Sequence, residues 1–356
     1  MTDPRPFGPD LVLTDLVGGS VWRATRPADG MVVAVKLVGL STTREVIDAR
    51  IAADLAALTA VRQRNVVSVL HLVVDGPTLG IVMEWVDGPN LLQERQRRAT
   101  VPAVEAARIV AYTCAGLAAL HGQGLVHRDV CPKKVLLAPG EVDASGQPGP
   151  TVPRLTDFAV ARLSDGPDRA CSIRNEPSRD YVAPETLTGR LAGPAADVYG
   201  AGTMLYELLS GHTPFGGGSL VEVLRRQVEE PVAPLPVAAP LWTVLERMLA
   251  KDPAARPDAR TAALALADFS EGLVPADLPP APPPAASPGG PVGAGAPGGP
   301  DPQPTVALAS GARPAAVAEP GATVIRRRPL EPAPAVDPKA KDKGGLVQRL
   351  FHRRKP

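Results

Sequence analysis

Three charged residues stand beside short apolar runs, where folding can bring them into one site. Lys36 ends the apolar run 33–35, Asp129 closes the tripeptide 127–129, and Asp157 lies 28 positions after Asp129. Carboxylates accept protons and bind hard cations, whereas a lysine ammonium neutralises an anionic group. The three residues therefore suit chemistry on an anionic substrate, provided that the elements around them bring them together.

The segments around these residues form an ordered set of motifs. His-Arg-Asp stands at 127–129, Asp-Phe-Ala at 157–159, Ala-Pro-Glu at 183–185 and Arg-Pro at 256–257. One such motif occurs often by chance, but several in this order and at this spacing do not. The set resembles the eukaryotic-like protein kinases, and specifically the bacterial serine/threonine kinases, over about residues 10–270.

The resemblance implies an α+β, bilobal protein-kinase fold, and the hydrophobic patterns agree with it. β-branched runs broken by glycine and aspartate predict a small β-rich N-lobe over residues 10–86, with one long helix that starts near residue 42. Apolar residues at helical spacing predict a larger helical C-lobe over residues 87–270. Residues 271–345 are rich in proline, alanine and glycine, which predicts a disordered linker, and residues 346–356 form a basic amphipathic end.

The resemblance also implies ATP and Mg²⁺ (or Mn²⁺) as cofactors, and it gives four residues a part in the reaction. Asp129 would orient the hydroxyl group of a protein substrate or accept its proton. Lys36 would contact the α- and β-phosphates of ATP, with Asp54 on the long helix as its acidic partner. Asp157 would bind the metal ion that bridges the phosphates.

Further residues would surround the nucleotide in a protein of this family. Apolar side chains would enclose the adenine, backbone groups would bond its edge, and a glycine-rich turn would cover the phosphates. These residues are Gly19, Val21, Ala34, Lys36, Glu84, Val86 and Leu136. Ser172 and Ser178 are candidate phosphorylation sites, and Ser172 is the better one because Ser178 aligns with a hydroxyl of the family's substrate-binding segment.

Several positions depart from the family pattern, and most of them handle phosphate or metal. Thr14 and Leu16 replace two of the three glycines in the phosphate-covering turn, where side chains keep the backbone away from the phosphates. Lys134 replaces an asparagine that binds a metal ion, and a protonated lysine repels a cation. Cys131 replaces a lysine that touches the transferred phosphate, and Ala159 replaces a glycine.

Two functions from different classes fit this pattern. The first is a slow protein serine/threonine kinase, which transfers the ATP γ-phosphate to a protein substrate. The second is a pseudokinase scaffold, which binds nucleotide or a signalling partner without catalysis. The retained Lys36, Asp129 and Asp157 keep catalysis open, whereas the missing asparagine argues against normal two-metal catalysis.

Charge and composition disfavour other classes and predict a location. The chain has 38 Lys/Arg and 37 Asp/Glu, but residues 326–356 hold ten of the basic and three of the acidic residues, so residues 1–325 are net acidic. An acidic folded part disfavours a nucleic-acid partner. Three scattered cysteines disfavour a disulfide framework or a zinc site, and the first residues lack a secretory signal pattern. These features predict a cytoplasmic protein, with membrane contact at most peripheral.

The basic end at 346–356 leads to a first testable prediction. Its apolar residues share one helical face: Leu346, Val347, Leu350 and Phe351. Such an end binds anionic lipid weakly, docks on an acidic partner, or stays solvated. If it binds lipid, the full chain will sediment with anionic vesicles at low salt and a truncation to residues 1–325 will not. Equally poor sedimentation of both proteins would exclude the membrane alternative.

Overall fold

The first part of the described chain is a six-stranded antiparallel sheet. The computed structural model describes residues 3–39, 56–98, 100–142, 145–157 and 179–270. The strands lie in the order β1-β2-β3-β4-β6-β5. Their bounds are β1 (Arg5–Phe7), β2 (Leu11–Gly18), β3 (Val21–Arg26), β4 (Met31–Gly39), β5 (Val69–Asp75) and β6 (Thr78–Glu84).

Several predicted features lie outside the described residues. These are the start of the long helix near residue 42, Asp54, Ala159, Ser172, Ser178 and the whole of 271–356, with its linker and basic end. The predicted domain boundaries also stay predictions.

The pattern of β4 shows how the sheet fixes Lys36. Val33 and Val35 are buried on one face of the strand, because successive side chains of a strand alternate between its faces. Lys36 therefore belongs to the other face. Strands β3 and β6 flank β4, so Lys36 pairs in register with Val21 on one side and with Ile81 on the other. The lysine is thus carried by the interior of the sheet, where register leaves little freedom.

The rest of the described chain is mostly helical. Its helices are α1 (Leu91–Arg97), α2 (Ala103–Gly122), α3 (Pro184–Leu187), α4 (Pro194–Ser210), α5 (Leu220–Glu229), α6 (Ala239–Met248) and α7 (Ala259–Ala267). Residues 56–60 are helical as well, at the end of the predicted long helix. A sheet lobe followed by a helical lobe is the α+β arrangement that the sequence predicts.

Helix α2 is the central helix of the helical lobe. It is buried along most of its length and packs against α4 and α7. By length and composition it is apolar enough to cross a membrane, and 72% of its apolar window is buried inside the protein. The core helix of a soluble protein meets the same test, so this property is weak evidence for a membrane span.

A short hairpin interrupts the helical pattern expected after residue 87. Strand β7 (Val135–Ala138) pairs with β8 (Val152–Leu155). The N–H of Leu155 donates to the carbonyl of Asn65 at 2.7 Å. The hairpin therefore ties the segment before β5 to the strand that leads into Asp157.

A buried ion pair joins α3 to the last turn before α7. Arg256 donates to Glu185 at 2.7 Å to Oε1 and 2.8 Å to Oε2. It also donates to the carbonyls of Ala195 and Ala250. The family resemblance implies this buried pair between Glu185 of the Ala-Pro-Glu motif and Arg256 of the Arg-Pro motif, and the contacts confirm it.

We expect Arg256→Ala to lower the free energy of unfolding by about 3–5 kcal/mol, because it leaves the Glu185 carboxylate buried without its partner. The matched control is Arg247→Ala, which removes an exposed arginine of α6 and should change stability by less than about 0.5 kcal/mol. Urea unfolding of both variants measures the difference. If Arg256→Ala lowers the free energy of unfolding no more than Arg247→Ala does, the ion pair adds nothing to stability.

Candidate active site

A cleft of about 600 Å³ is lined by residues of both the sheet and the helical lobe. Every residue predicted to surround a nucleotide lies on its wall: Gly19, Val21, Ala34, Lys36, Glu84, Val86 and Leu136. Asp129 and Asp157 line the same cleft. The structure thus brings together residues that are far apart in sequence, while their roles stay predictions.

One end of the cleft combines apolar side chains with an open backbone edge. Ala34 and Leu136 pack against the main hydrophobic core there. Val86 follows the end of β6, and no described residue forms a hydrogen bond with its N–H or its carbonyl. An apolar slot beside an unpaired backbone donor and acceptor suits a flat ring with polar edge atoms, such as a nucleobase.

The Glu84 side chain is engaged elsewhere. Its carboxylate accepts the N–H of Ser68 at 2.6 Å and pairs with Arg154 at 2.6 Å. Glu84 can therefore serve a nucleotide only through its backbone. The ion pair connects the end of β6 to β8, the strand before Asp157, and the sequence motifs gave no signal for it.

One position in the turn between β2 and β3 has a backbone conformation that favours glycine. Gly19 has φ +57°, in the left-handed region that glycine adopts without strain. Leu16, which occupies a family glycine position, is 50% exposed. The turn therefore keeps a single required glycine next to the cleft and carries a half-exposed apolar side chain nearby.

Asp197 holds the loop that carries Asp129. Its buried carboxylate on α4 accepts the backbone N–H groups of His127 at 2.8 Å and Arg128 at 2.7 Å. The Nε2–H of His127 donates to the carbonyl of Thr156 at 3.0 Å. Burial lowers the pKa of His127 despite the nearby charge of Asp197. A neutral His127 thus acts as a structural link between this loop and the end of β8.

Asp129 has one carboxylate oxygen without a partner. No described residue forms a hydrogen bond with its buried Oδ1, and its Oδ2 lies 3.7 Å from Lys134 Nζ. Buried polar atoms nearly always have partners, so an unpaired acceptor on a cleft wall is notable. Such an oxygen is suited to orient a hydroxyl group or accept its proton.

Asp157 lies between two ammonium groups. Lys36 Nζ donates to Oδ1 at 2.9 Å, and Lys134 Nζ donates to Oδ2 at 2.5 Å. The three side chains are only 13–18% exposed. Asp157 also has φ +67°, a backbone conformation that non-glycine residues rarely adopt. Two unit charges about 4 Å apart near a protein surface interact by about 4 kcal/mol, so this triad strongly constrains the cleft.

The charges of the triad shift the pKa values of two of its members. Burial by itself would raise the pKa of Asp157, but the charges of Lys36 and Lys134 outweigh burial and hold that pKa well below its usual value. Burial by itself would lower the pKa of Lys134, but the charge and hydrogen bond of Asp157 outweigh it and raise that pKa. Both groups are therefore ionised at neutral pH.

The structure adds two facts that the motifs do not contain. In the described residues the partner of Lys36 is Asp157, while the predicted partner Asp54 lies outside them. Cys131 is buried, and it is not among the residues that line the cleft. The contact between Lys134 and Asp157 had one sequence signal, a lysine at a metal-binding position between two aspartates. That signal predicts either repulsion of a metal ion or a cation in place of the one lost at Cys131, but it does not predict the contact with Asp157.

Comparison with known proteins identifies the family. A model of the protein kinase domain matches residues 17–265. The chain belongs to the bacterial eukaryotic-like serine/threonine kinase family. It is 36% identical over 355 residues to the serine/threonine-protein kinase PkaA of Streptomyces coelicolor, covering 94% of this chain and 62% of the relative.

Two further relatives match the kinase region. The serine/threonine-protein kinase PkaB of Streptomyces coelicolor is 43% identical over 242 residues, which cover 67% of this chain and 57% of the relative. PknA of Mycobacterium tuberculosis is 32% identical over 249 residues, which cover 67% of this chain and 55% of the relative. The chain thus spans less than two thirds of the length of these relatives. Kinases of this family generally use ATP with Mg²⁺ or Mn²⁺ and act on proteins.

The low pKa of Asp157 leads to a pH-dependent prediction. Since the folded pKa lies below the unfolded one, ionised Asp157 stabilises the kinase domain above about pH 4, and this contribution is lost as the pH falls further. We expect Asp157→Asn to lower the free energy of unfolding by about 2 kcal/mol near neutral pH, and by progressively less below about pH 4. Urea unfolding across this range is the test. If the variant's loss in free energy of unfolding stays the same at every pH, the low pKa assigned to Asp157 is wrong.

Proposed function

We propose that this kinase domain binds ATP in the cleft and transfers its γ-phosphate slowly to a serine or threonine hydroxyl of a protein. One observation carries the proposal: Lys36, Asp129 and Asp157 line a single cleft that also has an apolar end with an open backbone edge. Phosphoryl transfer depends on positioning and charge neutralisation, which these residues can supply.

In this proposal each residue has a distinct part. Asp129 orients the substrate hydroxyl through its unpaired Oδ1 and accepts the proton that the hydroxyl loses. The hydroxyl oxygen forms a bond to the γ-phosphorus, the bond to the bridging oxygen breaks, and ADP leaves. Lys36 neutralises phosphate charge and is held in place by Asp157.

The proposed slow rate follows from an altered metal site. The residues around Asp157 do not fit a metal ion as they stand, because each carboxylate oxygen accepts a hydrogen bond from a lysine ammonium. A divalent cation there would lie beside two positive charges.

A second candidate function is a pseudokinase scaffold. The 2.5 Å contact between Lys134 and Asp157 favours it, because the acidic residue that the family uses for its metal ion is already neutralised. In this alternative the domain binds nucleotide or a signalling partner and transfers no phosphate.

Radiolabelled ATP separates the two candidates. We expect the purified full chain to label itself or a general protein substrate slowly, and Asp129→Asn to reduce labelling by about a hundredfold or more. Reactions with Mg²⁺, with Mn²⁺ and with a chelator run in parallel. Labelling that is absent from the wild type in every condition, or equal in the wild type and the variant, would reject the kinase proposal and favour the scaffold.

A further inference from the structure

Lys134 places a fixed positive charge between the two carboxylates of the cleft. Its Nζ lies 2.5 Å from Asp157 Oδ2 and 3.7 Å from Asp129 Oδ2. Its backbone is held as well, since its N–H donates to the carbonyl of Cys131 and its carbonyl accepts the N–H of Thr156, both at 2.9 Å. The ammonium is therefore a built part of the site and not a solvated side chain that happens to lie nearby.

In a kinase of this family, the divalent cation is held by the carboxylate at the position of Asp157 and by the asparagine that Lys134 replaces. Here an ammonium group stands at that position, and Lys36 supplies a second one from the sheet lobe. A metal ion bound at Asp157 Oδ2 would compete with the Lys134 ammonium for that oxygen. The displaced ammonium would then stay close to the metal ion, because the turn that carries Lys134 is anchored at both backbone groups.

The same ammonium retains capacity for another acceptor. A lysine has three N–H donors, and the hydrogen bond to Asp157 uses one of them. Lys36 is in the same situation on the other side of the carboxylate. Both lysines can therefore donate to phosphate oxygens while they remain paired with Asp157, and together they can offset negative charge that a metal ion would otherwise neutralise.

We propose that this cleft binds a nucleoside triphosphate without a divalent cation, with the Lys134 ammonium as a permanent counter-ion in the place of the metal. The inference rests on the nucleotide binding in the proposed function, and it adds that this binding needs no divalent cation. It concerns binding, so it holds for a slow kinase and for a scaffold alike.

Calorimetric titration of ATP into the full chain tests the inference, once in excess chelator and once in millimolar Mg²⁺. We expect the wild type to bind in chelator with a Kd no more than about threefold weaker than in Mg²⁺. Lys134→Met should weaken binding in chelator by about tenfold or more, and Mg²⁺ should not restore it, because neither an ammonium nor a ligand remains. Lys134→Asn should weaken binding in chelator similarly, but Mg²⁺ should restore it.

The control is Arg247→Asn, which removes one positive charge from helix α6, outside the cleft. Arg247 is exposed and does not line the cleft, so its variant should bind ATP in chelator like the wild type. Thermal unfolding checks that each variant is folded.

The outcomes separate the inference from the function on which it rests. If the wild type binds ATP only with Mg²⁺, the metal-free inference is wrong and the proposed nucleotide binding stands. If the folded wild type binds no ATP in either condition, both fail. ATP binding by the wild type, compared between chelator and Mg²⁺, tests the inference by itself. The test therefore remains valid even if a variant fails to fold.

Discussion

A single carboxylate shared by two ammonium groups organises the active cleft of this kinase domain. Asp157 receives Lys36 from the sheet lobe and Lys134 from the helical lobe, so its charge ties the two halves together across the cleft. The neighbouring elements support that arrangement: the β7–β8 hairpin delivers Asp157, and the carboxylate of Asp197 holds the loop of Asp129. Removing the charge of Asp157 would leave two partly buried ammonium groups without the carboxylate that separates them.

The positive charge beside Asp157 has a different source in this cleft than in other kinases of the family. A kinase usually binds a metal ion along with the nucleotide, whereas this chain carries a positive charge in its own sequence. A lysine is always present, but it supplies one charge where a divalent cation supplies two, and its three N–H donors contact fewer oxygens than the octahedral shell of a magnesium ion holds. The proposed binding without metal and the proposed slow transfer would therefore both follow from the one substitution at Lys134.

Much of the fold and the membership of the cleft could be predicted from the sequence, because the motifs carry the family's spacing. The partners within the cleft could not. Lys36 and Asp157 are 121 positions apart, and only the folded register of β4 reveals that they meet. The β7–β8 hairpin was missed because short apolar runs suit a buried strand and a helix equally well. The sequence shows that Lys134 departs from the family pattern. Its contact with Asp157 depends on the turn that positions its side chain, which the sequence does not reveal.

The most direct measurement is a crystal structure of the full chain with a non-hydrolysable ATP analogue and Mn²⁺, with anomalous diffraction recorded to locate manganese. We expect Lys134 Nζ in contact with both Asp157 and a phosphate oxygen, and no anomalous peak beside Asp157. A manganese ion bound by Asp157, with Lys134 displaced from it, would contradict the claim that the lysine takes the place of the metal.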